Sequence, residues 1–242
     1  MRKVELTVFD EVLGRSWESL YFEVGLELSS GGRPDKAKVK IFNLSEQSKA
    51  FISKGKTFQI KVNGLLIYRG DLSGAKMQDH ETEIKGGRGR SVRNQVLSVS
   101  WDRGEGRKDC LARLLDKFGE RLDNAPDLGK LQSPFCERGK LHALISKLLP
   151  GEQWTFGLNG LVVGESSQTA VVIGPTSGLV GEALRTKRGV EMTTTLFPQV
   201  RPLGLVMVES KNFEGLAKVR GVEHEFSSNG LIWRSKIEAD RI

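Results

Sequence analysis

Hydrophobic and polar residues alternate along much of residues 1–101. The alternation is clearest in residues 4–8, where Val, Leu and Val fall on one face, and in residues 57–62, where Phe, Ile and Val do. A period of two residues is typical of half-buried β-strands. The pattern therefore predicts a β-structure for this segment, with residues 96–101 as its closing strand.

Three Asn-Gly pairs stand between strand-like runs, at Asn63–Gly64, Asn159–Gly160 and Asn229–Gly230. Asn-Gly favours the positive φ angles of a type I′ hairpin turn. The sequence thus predicts three β-hairpins whose turns fix the register of the paired strands.

Two parts of the chain show helical features instead. Ser45 is suited to cap a helix and Gly55 to end it, which predicts a short helix between them. After Trp101 the apolar spacing changes to the helical period, first in residues 108–122 and again in residues 137–149. The predicted fold class is mainly β with an α/β middle segment.

Together these patterns predict three domains. Two β-barrel domains, residues 1–103 and 176–242, flank a middle domain of two helices and a hairpin, residues 104–175. No repeat of fixed period occurs in the sequence.

Composition limits the function without deciding it. The chain has 242 residues, 38% hydrophobic and 28% charged, as expected of a globular protein. No run of about 18 apolar residues occurs, so no membrane anchor is predicted. Two cysteines cannot make a disulfide framework, and a reducing cytoplasm during synthesis is the simpler interpretation. The net charge of +7 is spread along the chain, which favours a solvated basic surface over a dedicated anionic partner.

Motifs of common enzyme classes are missing from the sequence. The three histidines, at 80, 142 and 224, form no HExxH motif and have no cysteine at ligand spacing. Cys110 falls on an apolar helical stripe, Cys136 has no companion base, and no phosphate-binding loop or paired carboxylate signature is present. We therefore expect no catalytic residues, no cofactor and no metal.

One basic segment has two interpretations. Lys85, Arg88, Arg90 and Arg93 are interleaved with glycines, so the segment could follow a phosphate backbone. No aromatic residue stands among them to stack on bases. The favoured interpretation is a long loop that becomes ordered at a contact between subunits, and we predict the same of residues 174–181.

Three stretches resemble the tail hub, or baseplate hub, proteins of long-tailed bacteriophages, the late control D-like family. They are VKIFNLSEQSKAFISKGKTFQIKVNGLLIYRGDLSG, SGLVGEALRTKRGVEMTTTLFPQVRPLG and VRGVEHEFSSNGLIWRSKIEAD. Two departures occur: Ala183 stands where the family often has proline, and Leu203 interrupts a Pro-Gly step. The residues that carry the resemblance as structural motifs are Asn43, Leu44, Gly55, Asn63, Gly64, Gly70, Asp71, Gly181, Gly189, Pro198, Gly204, Asn229, Gly230 and Trp233.

The resemblance implies a structural virion protein. Members form homotrimers in which two similar barrels per subunit make a pseudo-sixfold ring. That ring joins the sixfold tail tube or distal tail protein to a threefold central spike or fibre. Its channel holds the end of the tape measure protein and passes DNA. The implied location is the phage tail tip, after assembly in the bacterial cytoplasm.

Two other functions remain open from the residues alone. One is an OB-like barrel protein that binds single-stranded nucleic acid through the Arg88–Arg93 loop. The other is a peptidoglycan hydrolase, for which the sequence offers no acid–base pair.

Overall fold

The computed structural model describes residues 3–31, 35–88, 96–164 and 170–242, and strands dominate these ranges. The strands are β1 Val4–Phe9, β2 Gly14–Trp17, β3 Phe22–Ser29, β4 Lys36–Phe42, β5 Thr57–Val62, β6 Leu65–Met77, β7 Glu81–Gly87, β8 Val96–Trp101, β9 Leu122–Asn124, β10 Phe135–Lys140, β11 Trp154–Phe156, β12 Leu161–Val163, β13 Val171–Ile173, β14 Leu184–Arg185, β15 Gly189–Thr195, β16 Leu205–Ser210, β17 Phe213–Ser227 and β18 Trp233–Arg241. The helices are α1 Glu46–Lys54, α2 Arg107–Asp116 and α3 Leu141–Leu148. The mainly β fold class is confirmed.

One large sheet, called the main sheet below, contains strands from both ends of the chain. Its order is β14-β15-β18-β17-β3-β4-β7-β6-β5-β1-β2, with β16 paired to β17 and β13 to β16. The antiparallel pair β3–β17, in which Leu26 faces His224, joins the two halves. Their buried apolar residues form one core. The division into two barrels at the boundaries given above stays a prediction.

Two long strands, β6 and β17, each pair with different neighbouring strands at their two ends. Residues 65–71 of β6 pair with β5, and residues 71–77 pair with β7. Residues 213–218 of β17 pair with β16, while residues 217–226 pair with β18, with an irregular register after Val219. Because such irregularities bend a strand, each long strand can serve two stretches of sheet.

The alternation in the sequence corresponds to the two faces of these strands. Leu6, Val8, Phe58 and Ile60 are completely buried; of the residues between them, Gln59 is partly exposed and Thr7 is 8% exposed. The short helix α1 forms as expected, because the Ser45 hydroxyl accepts a hydrogen bond from the Ser48 backbone N–H at 3.3 Å.

The middle unit, residues 96–164, is built separately. It contains β8 paired with β10, a three-stranded sheet of β9, β11 and β12, and the helices α2 and α3 over their own apolar core. The expectation that β8 closes the first β-segment is wrong, because β8 pairs with β10.

The helix predicted for residues 137–149 is partly wrong. Residues 137–140 belong to β10, and α3 begins at Leu141. Residues 135–140 pair with β8 along their whole length, and the Phe135 ring lies 5.4 Å from the Trp101 ring, so cross-strand contacts favour a strand here.

Only one of the three predicted Asn-Gly hairpins has a two-residue type I′ turn. Asn63 and Gly64 have φ of 50° and 82°. At residues 157–160 the hairpin forms, but neither Asn159 nor Gly160 has a positive φ, and Gly157 N donates to Gly160 O at 2.8 Å. The third turn is longer, and only its Gly230 has a positive φ.

The Asn63–Gly64 turn gives a first prediction. Gly64→Ala should lower the free energy of unfolding by about 1 kcal/mol, because an alanine Cβ disfavours the left-handed conformation. The matched control is Gly25→Ala in β3, where an added Cβ meets open space and no positive φ is needed. Urea denaturation of both variants measures the difference, and equal midpoints would contradict the turn assignment.

Candidate assembly surface

The described ranges contain no group of three or more His, Cys, Asp or Glu residues that could hold a metal ion. Cys110 is buried and Cys136 exposed, and both are free thiols. Among the described residues, no helix is long and apolar enough to cross a membrane.

The motif residues of the resemblance lie mainly in turns and at close backbone approaches. A Cβ on Gly189 would collide with the Ala239 carbonyl of β18, and one on Gly70 with the Tyr68 ring. The remaining motif residues flank α1 (Asn43, Leu44, Gly55), form the β5–β6 turn (Asn63, Gly64), follow Gly70 in β6 (Asp71), precede β14 (Gly181), join β15 to β16 (Pro198, Gly204), or lie at the β17–β18 hairpin (Asn229, Gly230, Trp233). The sheet geometry explains the two glycines without any ligand.

The edge of the main sheet at β2 is unpaired in the described structure. β2 pairs with β1 and has no second strand partner. A pocket of about 500 Å³ lies beside it, lined by residues 15–20 on one side and residues 43–45 and 48 on the other. An unpaired edge presents backbone N–H and C=O groups that a strand from another chain can bind.

Two rigid turns present aliphatic side chains to solvent. In the β1–β2 turn, Asp10 Oδ1 accepts the backbone N–H groups of Val12 and Leu13 at 2.8 and 2.7 Å. In the β17–β18 turn, Asn229 Oδ1 accepts the backbone N–H of Leu231 at 3.2 Å, and Ile232 follows. The exposed fractions are 86% for Val12, 64% for Leu13, 83% for Leu231 and 40% for Ile232. We call these pairs the aliphatic turns.

The second aliphatic turn is fixed near the pocket. Ser228 N donates to Phe22 O at 3.0 Å, and its hydroxyl donates to Leu20 O at 3.1 Å. Leu20 itself lines the pocket. The β2 edge, its pocket and the two aliphatic turns therefore form one candidate assembly surface, which includes the motif residues Asn43 and Leu44.

A buried polar cluster lies where the two halves of the main sheet meet. Arg201, in the β15–β16 loop, donates to the Ile67 carbonyl of β6. Burial lowers the pKa of Arg201 to about 10, while nearby Asp35 opposes that shift. His224 lies 2.8 Å from the Ser235 hydroxyl, and burial, followed by the Arg201 charge, lowers its pKa to about 3. The predictions of site residues missed this cluster.

The described residues of the predicted basic loop make ion pairs within their own chain. Lys85 lies in β7 and pairs with Glu83 at 2.8 Å. Arg88 pairs with Glu120 of the middle unit at 3.5 Å. Arg90 and Arg93 lie outside the described residues. Because Arg88 is engaged within its own chain, no described contact favours nucleic-acid binding through it.

Known proteins resemble this chain in structure and not in sequence. No family model and no curated protein matches the sequence. A solved tail protein of prophage MuSo2 from Shewanella oneidensis matches with a TM-score of 0.74 at 10% identity, over 100% of this chain and 97% of that chain. The chain has the fold of phage tail proteins.

Two further solved structures share this fold. A tail protein from Neisseria meningitidis matches with a TM-score of 0.70 at 11% identity, over 99% of this chain and 96% of that chain. An E. coli component of the type VI secretion system, described as similar to the T4 tail proteins gp27 and gp5, matches with a TM-score of 0.70 at 9% identity, over 98% and 76%. At these identities the likeness establishes the fold alone.

Proposed function

We propose that this protein is a tail hub subunit, a structural virion protein that forms a homotrimer. Three copies would present six similar β halves to a sixfold partner and a threefold face to the opposite side. The observation that carries the proposal is the fold, which agrees with that of a phage tail protein along the whole chain.

The partners follow from this role. The sixfold face would receive the tail tube or distal tail protein, and the threefold face a central spike or fibre protein. The channel would hold the tape measure protein and transiently DNA. The protein would act at the tail tip of the virion after assembly in the host cytoplasm, and it would not be an enzyme.

The candidate assembly surface supports self-association. An unpaired strand edge is usually covered in a native assembly, and a closed ring of copies covers it. The aliphatic turns add exposed apolar side chains whose backbones are already fixed, so little conformational entropy is lost when they dock.

The test of the proposal is the mass in solution, measured by light scattering behind a sizing column at low and moderate salt. A hub subunit is expected to give three times 26.8 kDa, or to reach that mass when mixed with its tail partner. A monomer that binds single-stranded DNA tightly and in a salt-dependent way would instead support the nucleic-acid interpretation.

The aliphatic turns give a second prediction. The double variant Leu231→Ser, Ile232→Ser should weaken trimer formation by roughly tenfold or more, because docked aliphatic side chains lose their transfer free energy. The fold of the single chain should stay intact, as circular dichroism would show, since Leu231 and Ile232 are 83% and 40% exposed. The control is Met77→Ser, which makes the same kind of apolar-to-polar change at an exposed residue outside the aliphatic turns. Equal trimer stability in all three proteins would remove this turn from the interface.

A further inference from the structure

The middle unit and the main sheet have separate apolar cores. The buried apolar cluster of the main sheet and that of the middle unit have no residue in common. Within the described ranges, no two elements that pack together along several residues belong to different units. Each unit is therefore held together by its own hydrophobic burial.

Polar contacts connect the two units. At the end of β3, the Gly31 backbone N–H donates to Trp154 O at 2.9 Å, and the Thr155 hydroxyl donates to Ser29 O at 3.0 Å. Polar interfaces of this kind between units of one chain allow relative motion.

An ion pair also connects the two units. Arg88, directly after β7, and Glu120, after α2, approach to 3.5 Å with side chains 11% and 15% exposed. The Arg88 guanidinium also lies 5.8 Å from the centre of the Phe156 ring. A largely buried ion pair is strongly coupled, because removing one partner leaves the other charge in a poor solvent.

A cleft of about 600 Å³ separates the units next to this pair. Residues 57 and 69–71 line its main-sheet side, and residues 119–121 and 158–159 line its middle-unit side. Four charged groups meet there: Glu120 faces Arg88, Arg69 and Asp71. Burial raises the pKa of Glu120, while Arg88 lowers it. Arg88 therefore favours the charged form of Glu120 against the effect of burial.

We propose that the middle unit can move relative to the main sheet and that the Arg88–Glu120 ion pair holds the two units together. When the ion pair separates, the cleft widens by a hinge motion of the two units, and both apolar cores stay intact. When the pair forms, the hydrogen bonds at Gly31 and Thr155 are held in place. The device belongs to the single chain and is independent of the proposed hub function.

The experiment measures the distance between the two units. Cys136 is an exposed thiol of the middle unit, and Gln78→Cys adds one in the β6–β7 turn of the main sheet. Spin labels on both should give a narrow distance distribution in the otherwise unchanged chain. In the Glu120→Gln variant the distribution should become broader and shift to a longer mean distance. Exchange of the Gly31 amide hydrogen should become roughly ten- to a hundredfold faster.

Two further variants make the result decisive. Glu137→Gln removes the same charge from the Lys147–Glu137 pair, which lies within the middle unit, and should change neither readout. Exchanging the charges, with Arg88→Glu and Glu120→Arg together, should restore the narrow distribution. Circular dichroism confirms that each variant is folded. An unchanged distance distribution and unchanged Gly31 exchange in folded Glu120→Gln would overturn the proposal.

Discussion

Replacing Arg201 with alanine is expected to lower the free energy of unfolding by about 2–3 kcal/mol, the cost of leaving a carbonyl inside the fold without its charged donor. The Arg201 guanidinium donates to the Ile67 carbonyl, and its pKa of about 10 reflects its removal from water. Alanine leaves that carbonyl without this donor and removes a positive charge that interacts with the buried Asp35. Urea denaturation monitored by tryptophan fluorescence measures the loss.

A double-mutant cycle separates charge from volume. Arg201→Met fills most of the space but still leaves Asp35 without that compensating charge, so it should remain destabilising. Combining it with Asp35→Asn should recover part of the loss, because the buried carboxylate that interacts with the Arg201 charge is then neutral. If Arg201→Ala costs less than about 1 kcal/mol, in the range of an exposed ion pair, the buried cluster does not hold the two halves together.

Acid is expected to destabilise the protein through His224. Its pKa falls from 6.5 to about 3 on folding, because burial and the Arg201 charge disfavour the protonated ring. As the pH falls below 6.5, the unfolded state therefore binds a proton at His224 that the folded state does not bind. Stability is unaffected by this group above pH 6.5 and falls by about 1.4 kcal/mol per pH unit below it. The expected loss by pH 5 is about 2 kcal/mol.

The measurement is the free energy of unfolding from pH 8 to pH 5, compared with that of His224→Gln. Glutamine does not titrate, so the variant should lose the His224 part of the slope whatever its stability at pH 7. Glu120 acts in the opposite direction, because its raised pKa adds stability as the pH falls. That contribution is common to both proteins and cancels in the comparison. Identical slopes would show that folding does not lower the pKa of His224.

Local features of the sequence predicted much of the fold. The alternation in β1 and β5 identified their buried faces because side chains of a strand alternate strictly between its two faces. Ser45 and Asn63–Gly64 were also informative, because a helix cap and a tight turn depend on only a few neighbouring residues. Such signals are complete within the segment that carries them.

Features that depend on distant residues were not predictable from these patterns. Residues 137–140 carry a helix-compatible pattern, but pairing with β8 makes them a strand. The environment of Arg201 depends on its contact with β6, which is distant in the sequence, so no local pattern reveals it. The aliphatic turns had a weak local signal: Asp10 and Asn229 each precede two aliphatic residues by two positions, a spacing that allows an Asx turn.

The β3–β17 pair also has a consequence for biosynthesis. β3 is made before the whole middle unit, and its partner β17 is made only after that unit. Until then the edge of β3 that β17 later covers has no native partner, and pairing across so much chain is slow because a very long loop must close. The nascent protein should therefore depend on chaperone binding near β3, and slower translation of residues 213–227 should increase its aggregation during synthesis.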